Sequence, residues 1–329
     1  MKLAQGLLSP KSGNLDHLRL LAAATVIISH AWPLALGRGT AEPLEALTGH
    51  SLGGWAVALF FFLSGVLIST SAERRTPMAF WQARAKRIVP GLLVALLVTT
   101  LLAKLGGSTA SLTEELRYVL RGVTLVSLEH NLSGAFADNP YPLAVNGPLW
   151  SLAHEVLAYG VCQAVVLTGL LRHRFGTLVL VGAALAFWAI GPVLPARLAA
   201  FAPLWLAFSF GMVAARYGAW LKLSPARVLL LILLAPMGWP FAVLAVGYGA
   251  LTITLALPKL PRFGDWSFGL YIYGWPVAQL VVHLSPGMSP TTLALTSLAA
   301  TLPFAALSWI LIEKPALSLK LPGHKAALA

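Results

Sequence analysis

Three ionisable residues stand inside long apolar runs of the sequence: Arg19, His30 and Glu155. Such groups are costly in an apolar medium and usually functional. Arg19 and His30 are eleven residues apart, close to three helical turns, so their side chains share a face about 16 Å apart along the axis. His30 lies about 22 Å along its helix from Leu15, and Glu155 about 9 Å along from Leu149. Entering an apolar core of about 30 Å from opposite sides, the two arrive at a similar level, nearer the outer face. Histidine suits proton transfer near neutrality, and a carboxylate beside it can fix its tautomer and stabilise the imidazolium. The chemistry this pair could do is general-base activation of a weak nucleophile. The alternative is a histidine hydrogen-bonded between helices as a packing element.

A second constellation precedes the third apolar run, in Phe80-Trp81-Gln82-Ala83-Arg84-Ala85-Lys86-Arg87-Ile88-Val89-Pro90. Arg84 and Arg87 are spaced i, i+3 and share a helical face. Forked guanidinium groups suit phosphates, whereas composition alone suggests ordinary anchoring of a cytoplasmic loop. Ser64, in Phe60-Phe61-Phe62-Leu63-Ser64-Gly65, falls near the middle of its run without the context of a nucleophile elbow. Gly65 would let another helix approach closely. Tyr271, Tyr273 and Trp275 fit interfacial aromatics, helix packing or a pocket lining alike. His154, His173, His283 and His324 lack metal-ligand spacing, and no metal is expected. Cys162, the single cysteine, reads as a small buried hydrophobe.

The elements that must position these residues follow from composition. The 329 residues are 58% hydrophobic and 10% charged, against about 25% charged in soluble domains. That excludes a soluble enzyme, a disordered chain and a disulfide scaffold. The expected fold is an all-α, polytopic transmembrane helical bundle of about ten spans, at 15–37, 54–71, 88–105, 149–171, 175–194, 198–217, 226–239, 241–258, 266–283 and 291–312. Residues 112–128 read as a surface helix or part of a long loop. The first run lacks a cleavage site and reads as a retained span. No repeat or linker divides the chain, so one membrane domain over 1–329 is expected.

With the N-terminus in the cytoplasm, most of the 23 Lys and Arg fall on the cytoplasmic side, Arg262, Lys320 and Lys325 among them. Only Arg38, Lys104, Arg117, Arg121 and Arg197 lie beyond it. This bias predicts that both termini are cytoplasmic. The formal charge of +12 then reflects topology, not nucleic-acid binding. The longest outer segment, 106–148, is where a polar substrate would be met.

Taken together, the motifs resemble those of the acyltransferase-3 family of integral membrane acyltransferases, which acylate sugars and other polar acceptors. Arg19 through His30 is similar to that family's basic residue, ten residues, then histidine. Phe61-Phe62-Leu63-Ser64-Gly65-Val66-Leu67-Ile68 resembles its second-span signature, and Arg84-Ala85-Lys86-Arg87 its Arg-x-x-Arg element. Asn146-Gly147-Pro148-Leu149-Trp150-Ser151-Leu152-Ala153-His154-Glu155 resembles the segment bearing its acidic residue. The stretch from Gly264 to Pro276 and Ile312-Glu313-Lys314-Pro315 resemble its C-terminal motifs. The likeness runs from about Asn14 to Pro315. One departure is Gly274, where many members carry a histidine, as in a subgroup associated with exopolysaccharide and lipopolysaccharide modification. No extracellular SGNH-type domain is expected.

The resemblance implies an acyl-CoA donor, commonly acetyl-CoA, supplied from the cytoplasm. It makes His30 the catalytic histidine, with Glu155 as its orienting carboxylate, and Arg19, Arg84 and Arg87 the groups that bind the CoA phosphates. Ser64, Asn146, Trp150, Ser151, Tyr271 and Trp275 are candidates to line the pocket. The expected activity is O-acetylation of a sugar hydroxyl on an envelope polysaccharide or its lipid-linked precursor, by a multi-pass protein of a bacterial inner membrane. The partners are then the acyl-CoA, a carbohydrate acceptor and membrane lipid, with no nucleic acid. The alternatives are a transporter or flippase of a glycolipid or small metabolite, and acylation of a non-sugar acceptor.

Overall fold

The chain forms fourteen α-helices joined by short turns in a computed structural model that describes residues 1–125, 129–261 and 264–319. They are α1 Leu3–Leu8, α2 Asn14–Leu36, α3 Pro43–Thr48, α4 Leu52–Glu73, α5 Pro77–Leu105, α6 Leu112–Thr124 and α7 Leu149–Leu167. The rest are α8 Arg174–Ala189, α9 Ala196–Arg216, α10 Pro225–Leu234, α11 Trp239–Ala256, α12 Ser267–Leu284, α13 Pro290–Ser308 and α14 Lys314–Ser318. Among the described residues no strand forms, only the isolated bridges Lys2–Lys222 and Asn131–Ala144. Residues 126–128 of the expected surface helix, and Arg262, Lys320, His324 and Lys325, lie outside the described residues.

Each of the ten expected helices is present, but seven, not ten, are long and apolar enough to cross a membrane. These are α2, α4, α5, α7, α9, α11 and the continuous run Pro290–Ser318. Helix α8 stops at Ala189 because Pro192 follows within the next turn. Its 16 residues reach about 24 Å, short of an apolar core of about 30 Å. Helix α10 has 10 residues before Pro236 and Gly238 end the run. Helix α12 carries Tyr271, Tyr273, Trp275, Gln279 and His283 among its apolar residues.

Helix α5 begins eleven residues before the expected start. Thr76 caps it, accepting from the Ala79 N–H, and Pro77 occupies the first turn, where its missing N–H costs nothing. The basic cluster is therefore helical, as the i, i+3 reading requires.

By contacts the chain divides into two compact units that interchange segments: 1–22, 54–74 and 154–263 in the first, 23–53, 75–153 and 264–319 of the described residues in the second. In the first, α4 and α9 touch backbone to backbone. A Cβ on Gly65 would lie 2.0 Å from the Phe208 carbonyl oxygen, and one on Gly211 would lie 2.1 Å from that of Phe62. Asn14 closes the end of α11, donating to the Thr254 and Pro258 carbonyls and accepting from the Leu260 N–H. In the second unit, α12 packs along α13, where Gly269 meets the Ala305 backbone, and along α5. The segment 106–148 is ordered by long-range bonds. Phe136, fully buried with φ 51, has its ring over Gly106 and its N–H on the Gly106 carbonyl. A left-handed phenylalanine is strained, and that close packing holds it there.

These contacts set a paired expectation. Gly65→Ala must push α4 from α9 and should cost about 1–3 kcal/mol or more, lowering the thermal midpoint in detergent. Gly182→Ala, whose Cβ meets nothing within 4 Å, should be neutral or stabilise by up to about 1 kcal/mol.

Candidate active site

His30 projects from α2 in the second unit and meets Trp275 of α12 edge-on, with ring centroids 5.0 Å apart. Trp275 is fixed on its other sides. Its Nε1 donates to the Ala144 carbonyl at 2.9 Å, Tyr141 meets it at right angles, and Gly147 lies against its ring so closely that a Cβ there would sit at 3.2 Å. One turn further along α12, Gln279 donates to the Tyr141 and Ala144 carbonyls and accepts from Asn139. The 139–151 segment is thus stitched to the α12 residues that face His30.

Asn146 is the most informative member of this segment. Pro276 in α12 lacks the N–H that would bond the Ile272 carbonyl, and Asn146 Nδ2 donates to that carbonyl at 2.9 Å. The main-chain oxygen of Asn146 lies 3.1 Å from His130 Nδ1. The residue is 0% exposed, yet its Oδ1 has no hydrogen-bond partner. A buried acceptor left unpaired costs about 1–3 kcal/mol. Ser151 and Tyr271 bond to each other, and the Tyr271 hydroxyl donates to the Pro148 carbonyl. Trp150, by contrast, is 40% exposed.

Glu155 belongs to the first unit, where α4 and α7 position it. Its Oε1 accepts from Ser64 Oγ at 2.8 Å and from the Tyr159 hydroxyl one turn along its own helix. Ser64, in the sequence a packing or pocket residue, is therefore a direct partner of the half-buried carboxylate. Tyr159 was missed, although the i, i+4 spacing from Glu155 was a usable signal. Arg19 lies in the first half of α2. His154 bonds the Arg197 carbonyl and stacks on Phe201.

The two arginines of α5 have different surroundings. Arg87 is held at both ends, by Asp265 at 2.6 Å and Glu313 at 3.0 Å, with Phe268 and Trp309 under the guanidinium. Glu313 is 1% exposed and also accepts from Ser308. A π-turn over Trp309–Glu313 presents it. The Arg87 guanidinium is thus shared between two carboxylates. Arg84 lies over Phe80, one turn back. Asp265 and Glu313 figured in the sequence only as motif members; their pairing with Arg87 spans too many residues to be read from spacing.

A further carboxylate went unnoticed. Glu42 is buried and accepts from the Leu52 N–H at the start of α4. Burial pushes its carboxyl above the usual range, a hydrogen bond with Ser29 opposing and nearby Glu45 adding to the rise. The signal was an acidic residue immediately before a helix-starting proline, twelve residues after His30. Among the described residues no group of three or more His, Cys, Asp or Glu could hold a metal ion.

Residues 12–313 match the acyltransferase domain of the acyltransferase-3 family, and the chain belongs to that family. It is 31% identical to an O-acetyl transferase of Shigella phage Sf6, covering 92% of this chain and 96% of that protein. It is 28% identical to Nodulation protein 10 of Rhizobium leguminosarum bv. viciae, over 93% and 94%. No solved structure matches. The protein is thus an integral membrane acyltransferase. The family's ninth-span histidine has no room here, since a Cβ on Gly274 would lie 2.6 Å from Ile27 Cγ1.

Two expectations follow. Arg87→Ala strands buried Glu313 and should cost about 3–5 kcal/mol by thermal unfolding in detergent. Adding Glu313→Gln should return part of that loss, because a neutral amide needs no cation. Gly274→Ala should destabilise by about 1–3 kcal/mol, and Ile27→Ala in the same chain should relieve it, a coupling measurable as a double-mutant cycle.

Proposed function

We propose that this acyltransferase moves an acetyl group from cytoplasmic acetyl-CoA to a sugar hydroxyl of an envelope polysaccharide or its lipid-linked precursor, in a bacterial inner membrane. The observation that carries the reading is an imidazole set edge-on against Trp275, whose ring also touches the segment bearing Asn146, the Oδ1 of which has no hydrogen-bond partner among the described residues. A base and an acceptor oxygen in the same neighbourhood suit a hydroxyl substrate. The relative named as an O-acetyl transferase supports the same chemistry.

In this mechanism His30 takes the hydroxyl proton as the sugar oxygen attacks the thioester carbonyl. The carbon–sulfur bond then breaks, and the imidazolium returns its proton to the departing CoA thiolate. Glu155 is the carboxylate that orients His30, an assignment that rests on the sequence reading. Arg19 and Arg84 bind the CoA phosphates, while Arg87 holds α5, α12 and the C-terminal run together. Asn146 Oδ1 accepts from a sugar hydroxyl, and Ser151, Tyr271 and Trp275 shape its surroundings. The proposal includes cytoplasmic termini and a membrane location for α8, α10 and α12, from the charge bias.

Reconstituted vesicles given acetyl-labelled acetyl-CoA and envelope polysaccharide should yield alkali-labile label on the polysaccharide. Label that stays on CoA while a glycolipid crosses the bilayer would instead mark a transporter. Arg84→Ala should raise KM for acetyl-CoA about 10- to 100-fold, as loss of a charge-assisted hydrogen bond worth about 1.5–3 kcal/mol implies. Asn146→Ala should raise KM for the acceptor about 10-fold and leave that for acetyl-CoA unchanged.

A further inference from the structure

The segment 106–136 leaves the end of α5 and comes back to it. Its outgoing end, Gly106–Thr109, and its returning end, Ser133–Phe136, are bonded together: the Thr109 N–H donates to the Ser133 carbonyl and the Phe136 N–H to that of Gly106. Between them α6 runs antiparallel along α5. Glu115 pairs with Lys104 at 3.0 Å, and seven residues later Gly122 rests on Leu96, where a Cβ would lie 2.7 Å from its side chain. Seven residues of one helix thus match eight of the other, about 11 and 12 Å. The far end of α6 is therefore level with the middle of α5, which is itself a candidate membrane span.

Helix α6 has three faces. Glu115, Tyr118, Val119 and Gly122 are buried. Leu112, Leu116 and Leu120 are 70%, 53% and 67% exposed, centred roughly 110° away at about 100° per residue. Thr113, Glu114, Arg117, Arg121 and Thr124 make the third face, roughly 110° further on. A two-faced surface helix needs only an apolar and a polar side. A third, apolar, exposed face asks for another apolar phase, and α5 supplies the argument for which. Its own exposed residues Leu93, Leu97, Leu101 and Leu105 form an i, i+4 stripe over the half of the span that α6 accompanies, the face a membrane helix turns to lipid.

We propose that α6 is the descending limb of a re-entrant excursion, entering the bilayer beside α5 with Leu112, Leu116 and Leu120 against acyl chains. Polar backbone and side chains at membrane depth persist only where they are buried in protein or line water. The third face accordingly lines a wet cleft. Arg121 pairs with Glu129 there, and Glu114 accepts from the Ser133 N–H and hydroxyl. The proposal rests on α5 being a membrane span and uses nothing of the acyl-transfer chemistry.

Single nitroxide labels test it in the full-length protein reconstituted in phosphatidylcholine bilayers. They are placed at Leu112→Cys, Leu116→Cys, Leu120→Cys and Arg117→Cys in a Cys162→Ala background. Collision with oxygen should exceed collision with a water-soluble nickel chelate at all three leucine positions. The apparent depth should increase from 112 to 120 by about 12 Å, eight residues of rise. The label at 117 should favour the nickel chelate. Equal depth at the three leucine positions would overturn the proposal in favour of a helix flat on the surface. Nickel-dominated collisions at all of them would overturn it by putting the stripe in water, and an oxygen-dominated 117 would remove the wet face. Retained acetyl transfer in these variants establishes that each is folded, so a negative depth result stands apart from any failure of the proposed chemistry.

Discussion

A polar group withdrawn from water must find its partner inside the protein or pay several kcal/mol for lacking one. That constraint organises the interior of this chain. Arg87 answers two carboxylates at once, and Glu313 answers Ser308 as well. Glu155 is held by Ser64 and Tyr159. Asn14 uses both its amide hydrogens and its oxygen to finish α11, and Gln279 is bonded at both ends of its carboxamide. Among the described residues several buried polar atoms lack a hydrogen-bond partner, and Asn146 Oδ1 is one of them. It lies on the segment that Gly147 packs against Trp275, the ring that His30 meets edge-on. Groups that fold stability leaves unsatisfied are the ones a substrate can satisfy.

The same constraint explains why residues 129–148 are held in place although they have little regular structure. Pro276 leaves the Ile272 carbonyl without its helical donor, and Asn146 supplies one. That single bond fixes the residue whose oxygen remains open. Trp275 and Gln279 converge on the Ala144 carbonyl, so a break in α12 and the irregular 139–151 segment define each other. Gly147 allows the indole to approach, and Gly274 lets α2 come within contact of α12 at Ile27. The absence of a ninth-span histidine is therefore a matter of helix spacing as much as of chemistry.

Much of the helical order was legible in the sequence, because long apolar runs punctuated by Gly, Pro and basic residues leave few alternatives. The close approach at Gly65 was legible for the same reason. Helix length was less legible: apolar character extends past the proline and glycine stops that shorten α8 and α10. The start of α5 was hidden behind a basic cluster, although Thr76-Pro77 is a capping signal. The ionisable candidates His30, Glu155 and Arg19 were conspicuous in the sequence because their surroundings are apolar. Their partners were not, because Arg87 meets Glu313 and Asn139 meets Gln279 across 226 and 140 residues. No periodicity announces such contacts. Asn146 became informative only once burial showed which of its atoms was satisfied.

The central claim is that the imidazole of His30 is the base of acyl transfer. Its most direct test is release of free CoA thiol by purified wild type and His30→Ala, each given acetyl-CoA and an envelope polysaccharide, with both proteins matched for thermal midpoint. The account predicts acceptor-dependent release by the wild type and its loss, by about 100-fold or more, in the variant. Equal release by the two folded proteins would contradict it.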